Sequence, residues 1–173
     1  MDRNSKIEAK GATGGGVVLV GGDWQGSGTM RQATKVTMEA GATIDASATD
    51  NGDGGKVVLW SDIHNADSVT RVNGSIKAEA GPHGGDGGKV DTSGQYLNVD
   101  GIQVSTQSNK GHAGEWLLDP YDITIGTTAS GTVFTDTNPG DDSYTSAATS
   151  FIKAADISSA LANGHVTIST GAV

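Results

Sequence analysis

The sequence predicts an all-β fold of short stacked strands, a parallel β-solenoid with one short helix near the C-terminus. Three features predict it. A strand phrase recurs along the chain, apolar residues alternate within each phrase, and glycine crowds the junctions, with 27 of 173 residues against a usual share of about 7%.

The phrase is two glycines, any residue, then apolar–any–apolar. It reads Gly14-Gly15-Gly16-Val17-Val18-Leu19, then Gly54-Gly55-Lys56-Val57-Val58-Leu59, then Gly87-Gly88-Lys89-Val90-Asp91-Thr92. A looser copy is Ala113-Gly114-Glu115-Trp116-Leu117-Leu118. A second phrase precedes each: Ile7-Glu8-Ala9, Ile44-Asp45-Ala46, Ile76-Lys77-Ala78 and Ile102-Gln103-Val104. A fainter third strand comes earlier, at Val36/Met38, Val69/Val72 and Leu97/Val99. The leading isoleucines stand 37, 32 and 26 residues apart, so turns vary while strands stay constant, as stacked coils allow.

A period of two gives each strand one inward face. One predicted wall is Ile44/Ala46, Ile76/Ala78 and Ile102/Val104. The other is Val17/Leu19, Val57/Leu59, Val90/Thr92 and Trp116/Leu118. Stacking lets small units share a core, so a low apolar content suffices. The competing reading is a flat antiparallel sheet joined by hairpins, but hairpin loops are usually two to five residues and these connections are longer.

Residues 1–125 are thus read as solenoid units. Residues 126–173 are read as a long polar loop (126–150), a short helix and a strand that continues the solenoid. Asp156 is the expected N-cap, Ile157, Ala160 and Leu161 the apolar face, Gly164 the stop, and His165–Thr170 the strand. The chain starts and stops in mid-pattern, which predicts a piece of a longer solenoid.

Charge narrows the partners. Lys and Arg number 11 against 20 Asp and Glu, a net of −9, so nucleic acid and anionic membranes are not expected. No apolar run approaches the ~18 residues of a membrane-spanning helix, so no membrane insertion is expected, and no basic start leads into an apolar stretch as in a signal peptide. With no Cys, disulfides, thiolate metal sites and Cys nucleophiles are excluded.

Several strings carry a resemblance: Gly-Gly-Lys-Val-Val-Leu-Trp-Ser-Asp (54–62), Gly-Gly-Asp-Gly-Gly-Lys-Val (84–90), Gly-Glu-Trp-Leu-Leu-Asp-Pro-Tyr-Asp-Ile-Thr-Ile (114–125) and Ala-Asp-Ile-Ser-Ser-Ala-Leu-Ala-Asn-Gly-His-Val-Thr-Ile (155–168). Over roughly residues 7–170 the chain resembles the large secreted adhesins of the filamentous haemagglutinin family. The resemblance implies a long right-handed parallel β-helix, export through a partner pore in the bacterial outer membrane (two-partner secretion), a surface location, and adhesion and biofilm formation with glycans or proteins as partners. The family's secretion domain carries Asn-Pro-Asn motifs. This chain has only Asn138-Pro139-Gly140, so it resembles the shaft beyond that domain.

Candidate sites are few. Asp53, Asp86 and His112 fall at one corner of the aligned units, where they would either hold a hard cation such as Ca²⁺ or stand as solvated turn residues. The calcium nonapeptide pattern fails at Gly84-Gly85-Asp86-Gly87-Gly88, because Lys89 stands where it needs Asp. The phosphate-loop pattern fails because Val follows Lys in both Gly-Gly-Lys phrases. The outward ladder Asp45, Lys77, Gln103 reads as an ion pair, and no paired acids mark a polysaccharide lyase or hydrolase. Asn73-Gly74-Ser75 is a formal glycosylation triplet that a turn also explains. Trp60 aligns outside the coil beside Ser93 and Asp119, either to stack on a sugar ring or to be covered by the following turn. In the 126–150 loop, Asp141, Asp142 and Tyr144 form a second ligand candidate. No cofactor and no catalysis are expected. The readings in play are an adhesive shaft, a passive spacer and a carbohydrate-active β-helix enzyme.

Overall fold

A computed structural model of the chain describes residues 1–127 and 150–170, with 135–136 and 144–145 as strand backbone. In chain order the strands are β1 (Lys6–Glu8), β2 (Val17–Val20), β3 (Lys35–Met38), β4 (Thr43–Asp45), β5 (Lys56–Trp60), β6 (Val69–Val72), β7 (Ser75–Lys77), β8 (Lys89–Gly94), β9 (Tyr96–Asn98), β10 (Gln103–Ser105) and β11 (Glu115–Pro120). There follow β12 (Ile123–Gly126), β13 (Thr135–Asp136), β14 (Tyr144–Thr145), β15 (Ser150–Lys153), helix α1 (Ala154–Leu161) and β16 (His165–Ile168).

Among the described residues these strands form three parallel sheets and one antiparallel pair. Sheet one runs β1-β4-β7-β10, sheet two β2-β5-β8-β11-β16, and sheet three β3-β6-β9-β15-β12. Up to β11 the chain visits the three sheets in strict rotation. Corresponding positions in the sheets therefore define tiers, four strands deep in sheet one and five in the others. The flat antiparallel alternative is excluded by the parallel pairing of every strand in these sheets.

The three sheets share one apolar cluster. Ile44, Ile76 and Val104 enter it from sheet one, Val18, Val57, Val90 and Trp116 from sheet two, and Val36, Met38, Val72 and Leu97 from sheet three. Trp116 is wholly inside, and its indole N–H donates to Thr92 Oγ1 at 2.9 Å, which satisfies the polar atoms of both. In sheet three Thr70, not Val69, lies in register with Val36 and Leu97. Its hydroxyl lies 2.8 Å from both Ser61 Oγ and the Ser93 carbonyl oxygen, so a buried polar group is tolerated there.

The Gly-Gly phrase marks the corner between sheets one and two. The N–H groups of Gly16, Gly55, Gly88 and Gly114 donate to the carbonyls of Ala9, Ala46, Ala78 and Thr106 at 2.6, 2.8, 2.8 and 2.7 Å. None of the four has positive φ. Close approach is what demands glycine: a Cβ on Gly88 would fall on the Gly55 carbonyl oxygen, and one on Gly114 would fall on that of Gly88.

Register corrects two of the expected walls. In the first copy Val18 and Val20, not Val17 and Leu19, pair with Val57 and Leu59. Three successive glycines allow the phrase to be aligned in two ways, and a one-residue slip exchanges the faces. Val17 is accordingly 60% exposed. In sheet one Val104, not Ile102, pairs with Ile76. Both are buried, because a two-residue shift preserves the face. The outward ladder therefore reads Asp45, Lys77, Ser105, with Gln103 beside Ser75.

The C-terminal part departs most from expectation. β15 takes the place beside β9, and β12, earlier in sequence, lies beyond it at the sheet edge. The chain thus follows the rotation into sheet three at β12 but skips one place there, and β15 returns to fill it. The expected 126–150 loop contains the antiparallel pair β13–β14, formed where Thr and Tyr favour extended backbone. The helix begins after Lys153, which holds the N-cap position because β15 runs straight into it. Asp156 is not the cap. It lies in the first turn, and its Oδ2 accepts the Gly101 N–H at 3.1 Å. α1 packs on β10, β15 and β16. Ala160 is buried and Ile157 half-buried, while Leu161, expected on the same face, is 56% exposed.

Candidate functional site

The corner residues do stack, but their carboxylates face backbone. Asp53 Oδ1 accepts the Asp86 N–H, and Asp86 Oδ1 accepts the His112 N–H, each at 2.8 Å. Each acid thereby ties its own turn to the next. Among the described residues no group of three His, Cys, Asp or Glu is placed to hold a metal ion. The ladder is a structural device in which one oxygen of each carboxylate is already engaged, in place of a set of converging ligands.

Trp60 lies on the outer side of sheet two, in register with Ser93, which is in register with Asp119. It is nevertheless 1% exposed, so its ring offers no face for a sugar to stack on. Ile63 of the following turn contributes to its cover, packing with Val58, Leu19 and Trp24 in a second apolar cluster. Most of the cover comes from earlier in the chain, from a strap between β2 and β3. The strap holds a single 3-10 turn at Trp24–Gly26, and Asp23 caps it by accepting the Trp24 N–H at 2.7 Å. Gly22 and Gly26 lie on the indole: a Cβ on either would stand 2.5 and 2.6 Å from its Cδ1 and Cζ2. The Trp60 N–H donates to Gln32 Oε1 at 2.7 Å. Asp23 meets Lys56 Nζ at 2.9 Å, and Lys89 Nζ lies 5.5 Å from the centre of the Trp24 ring.

Beneath the strap is a buried carboxylate. Asp91 occupies an outward position of β8, yet it is fully enclosed. One oxygen accepts the Gln25 N–H at 2.9 Å and the other accepts the Ser93 hydroxyl. Burial pushes its carboxyl up to about 6, with Asp119 and Glu115 adding repulsion against the two hydrogen bonds. Burial also raises Asp119. Because the folded value lies above the ordinary 3.8, the folded chain holds an extra proton between these values. The contribution to stability is then complete below about 3.8 and lost as pH rises through about 6, a swing of about 3 kcal/mol. Melting curves between about pH 7 and about pH 5 should show the parent gaining stability relative to Asp91→Asn on acidification. Parallel pH profiles for the two proteins would show that Asp91 does not titrate in this window.

Asp141 and Asp142 lie outside the described residues, and Tyr144 is described only as backbone of β14. The outer face of sheet one carries a row of charged side chains. Lys6 and Lys10 reach Glu8 at 2.9 and 3.0 Å, Lys10 reaches Asp45 at 3.6 Å, and Lys77 reaches Glu79 at 3.9 Å. The two lysines hold the Glu8 carboxyl below its usual range. Beyond Lys77 the ladder becomes neutral, with Ser105 and its neighbours Gln103 and Gln107, and it ends against α1. Sequence pattern does not reveal this junction, because it turns on α1 docking beside β10, which no repeat phrase encodes.

Compared against known protein families and against curated proteins, the chain matches none of them.

Proposed function

We propose that the chain is a segment of the shaft of a large secreted bacterial surface adhesin of the filamentous haemagglutinin kind, coiled as a right-handed parallel β-helix. The observation that carries this reading is the rotation of the strands among three parallel sheets. Each added turn lays one strand on each sheet, so such a chain lengthens without changing its cross-section. Supporting it, the resembling strings occupy equivalent places: residues 54–62 run through β5, 114–125 through β11 into β12, and 155–168 through α1 into β16. In this reading the full-length protein reaches the cell surface through an outer-membrane partner pore, and glycans or proteins of host or neighbouring cells are its partners.

Beads coated with the folded chain test the reading. They should be retained on cell layers or glycan-coated surfaces above the level of albumin-coated beads. Free beads on every surface would leave a passive spacer. New reducing ends or double bonds in acidic polysaccharides would point to the carbohydrate-active enzyme instead.

A further inference from the structure

The strap between β2 and β3 can lift without disturbing the sheets. Its ends are tied to each other, because the Ala33 N–H donates to the Gly21 carbonyl at 2.7 Å. The Asp62 N–H holds the Ala33 carbonyl in turn, at 2.9 Å. Residues 22–32 are thus a closed loop laid on the outer face of sheet two. Within it only Gly22 is buried, and a segment that buries so little of itself opens at low cost. Gly21, Gly26 and Gly28 take φ of 81°, 65° and 75°, as glycine readily does. Gln25 takes 51° without being glycine, so the closed strap is held against backbone strain. What holds Gln25 in place is its N–H on Asp91 Oδ2.

Asp91 lies beneath this contact. Val58 and Leu117 flank it in register, and both are buried. Its other oxygen accepts the Ser93 hydroxyl, and Ser93 Oγ accepts the Asp119 N–H at 3.1 Å. The neighbouring cations face other partners: Lys56 of β5 meets Asp23 of the strap, and Lys89 of β8 lies over the Trp24 ring. From β11 come Glu115 and Asp119, whose charges oppose that of Asp91. In the turn after β5, Asp62 and His64 flank Ile63, and Asp62 Oδ1 accepts the His64 N–H at 2.9 Å. An ionised Asp91 therefore has two hydrogen bonds, where a carboxylate can accept about four. Water supplies the rest once the strap lifts. A neutral Asp91 loses far less by staying covered.

We propose that the strap is a pH-sensitive cover, closed over Asp91 and Trp60 in mildly acid solution and opening locally as the Asp91 carboxyl ionises. Under the closed strap that carboxyl is pushed up to about 6, and in water it returns to the ordinary 3.8. The open form binds fewer protons between these values, so rising pH favours opening. From about pH 5 to about pH 8 the opening equilibrium should rise roughly tenfold. Asp23 does not reverse this, because Lys56 holds its carboxyl below the usual range and it stays charged throughout the interval. Opening bares the Trp60 indole and the Asp91–Ser93 row on a face of sheet two that is otherwise sealed.

Hydrogen exchange on the whole chain at about pH 5 and about pH 8, corrected for the intrinsic rate, tests this. Amides 22–32 should lose roughly tenfold in protection while those of β8 and β11 keep theirs. Acrylamide quenching of tryptophan emission should rise in step, through Trp24 and Trp60, since Trp116 stays inside the core. Asp91→Asn keeps an acceptor for the Gln25 N–H but cannot ionise, so its strap should be equally protected at both pH values. Gln25→Pro removes the N–H and forbids the positive φ, so its strap should be open at both, with the sheets intact. His64→Gln, in the adjoining turn, should behave as the parent. Equal protection at the two pH values in the parent overturns the proposal, as does a loss shared by β8 and β11, which is general loosening. A pH-dependent loss that persists in folded Asp91→Asn or vanishes in His64→Gln assigns the switch to another group. A strap still protected in Gln25→Pro removes the latch on which the proposal stands.

Discussion

Ile76→Asp is expected to abolish folding, while Lys77→Asp on the adjacent residue is expected to lower stability by no more than about 1 kcal/mol. The two side chains leave β7 on opposite faces. Ile76 is fully buried, with Ile44 on one side and Val104 on the other in register. A carboxylate there would lie among aliphatic side chains with no cation or donor to meet it, and an isolated buried charge costs more than a domain's usual margin of roughly 5–15 kcal/mol readily absorbs. Lys77 points outward, and its loss removes only the 3.9 Å approach to Glu79 while adding repulsion toward Asp45. Far-UV circular dichroism and urea melts on both variants check this. A folded Ile76→Asp together with an unfolded Lys77→Asp would mean that β7 is one residue out of register.

Strands are legible in the sequence where local pattern and three-dimensional constraint coincide. Gly55, Gly88 and Gly114 are visible as a motif because each must pass against the backbone of a neighbouring tier, and Val57, Val90 and Trp116 follow at fixed spacing because they leave that corner into one core. Where glycines run on, as at Gly14–Gly16, the pattern has two solutions, and only pairing with β5 selects Val18 over Val17. β15 is illegible for a different reason. Its place between β9 and β12 depends on the chain doubling back, and no local preference of Ser150–Lys153 encodes that. The candidate site residues share one difficulty, that spacing shows where a side chain stands but not what already occupies it. Asp53 and Asp86 align at one corner as metal ligands would, yet each bonds an N–H of the following tier. Alignment also puts Trp60 on its true outer side, in line with Ser93 and Asp119. What alignment cannot supply is the cover, because the strap that encloses Trp60 comes from a stretch about thirty residues earlier with no counterpart in later units.

That strap makes Trp60→Ala the second large effect. Trp60 is the largest fully buried side chain of the outer cluster, and truncation of a buried aromatic typically costs about 3–5 kcal/mol. The loss should be unevenly distributed. Sheet two keeps its ladder and the inner core keeps Val57 and Leu59, which point the other way from β5. The strap loses the ring on which Gly22 and Gly26 lie and the donor that holds Gln32. Its remaining anchors are Asp23 on Lys56, Lys89 over Trp24, and the Gln25 N–H on Asp91. The first two are partly exposed contacts that water and salt weaken. The third is a single backbone bond, and it too loosens once the cover shifts. Hydrogen exchange should therefore show amides 22–32 losing protection first, with those of β8 and β11 retained, and Trp24 emission should move to longer wavelength as its ring meets water. Trp60→Phe separates packing from the hydrogen bond: it keeps most of the apolar volume and should recover part of the stability without restoring the Gln32 contact. If Trp60→Ala instead melts within about 1 kcal/mol of the parent with amides 22–32 still protected, the strap is held by its charged contacts, and the indole only fills the space beneath it.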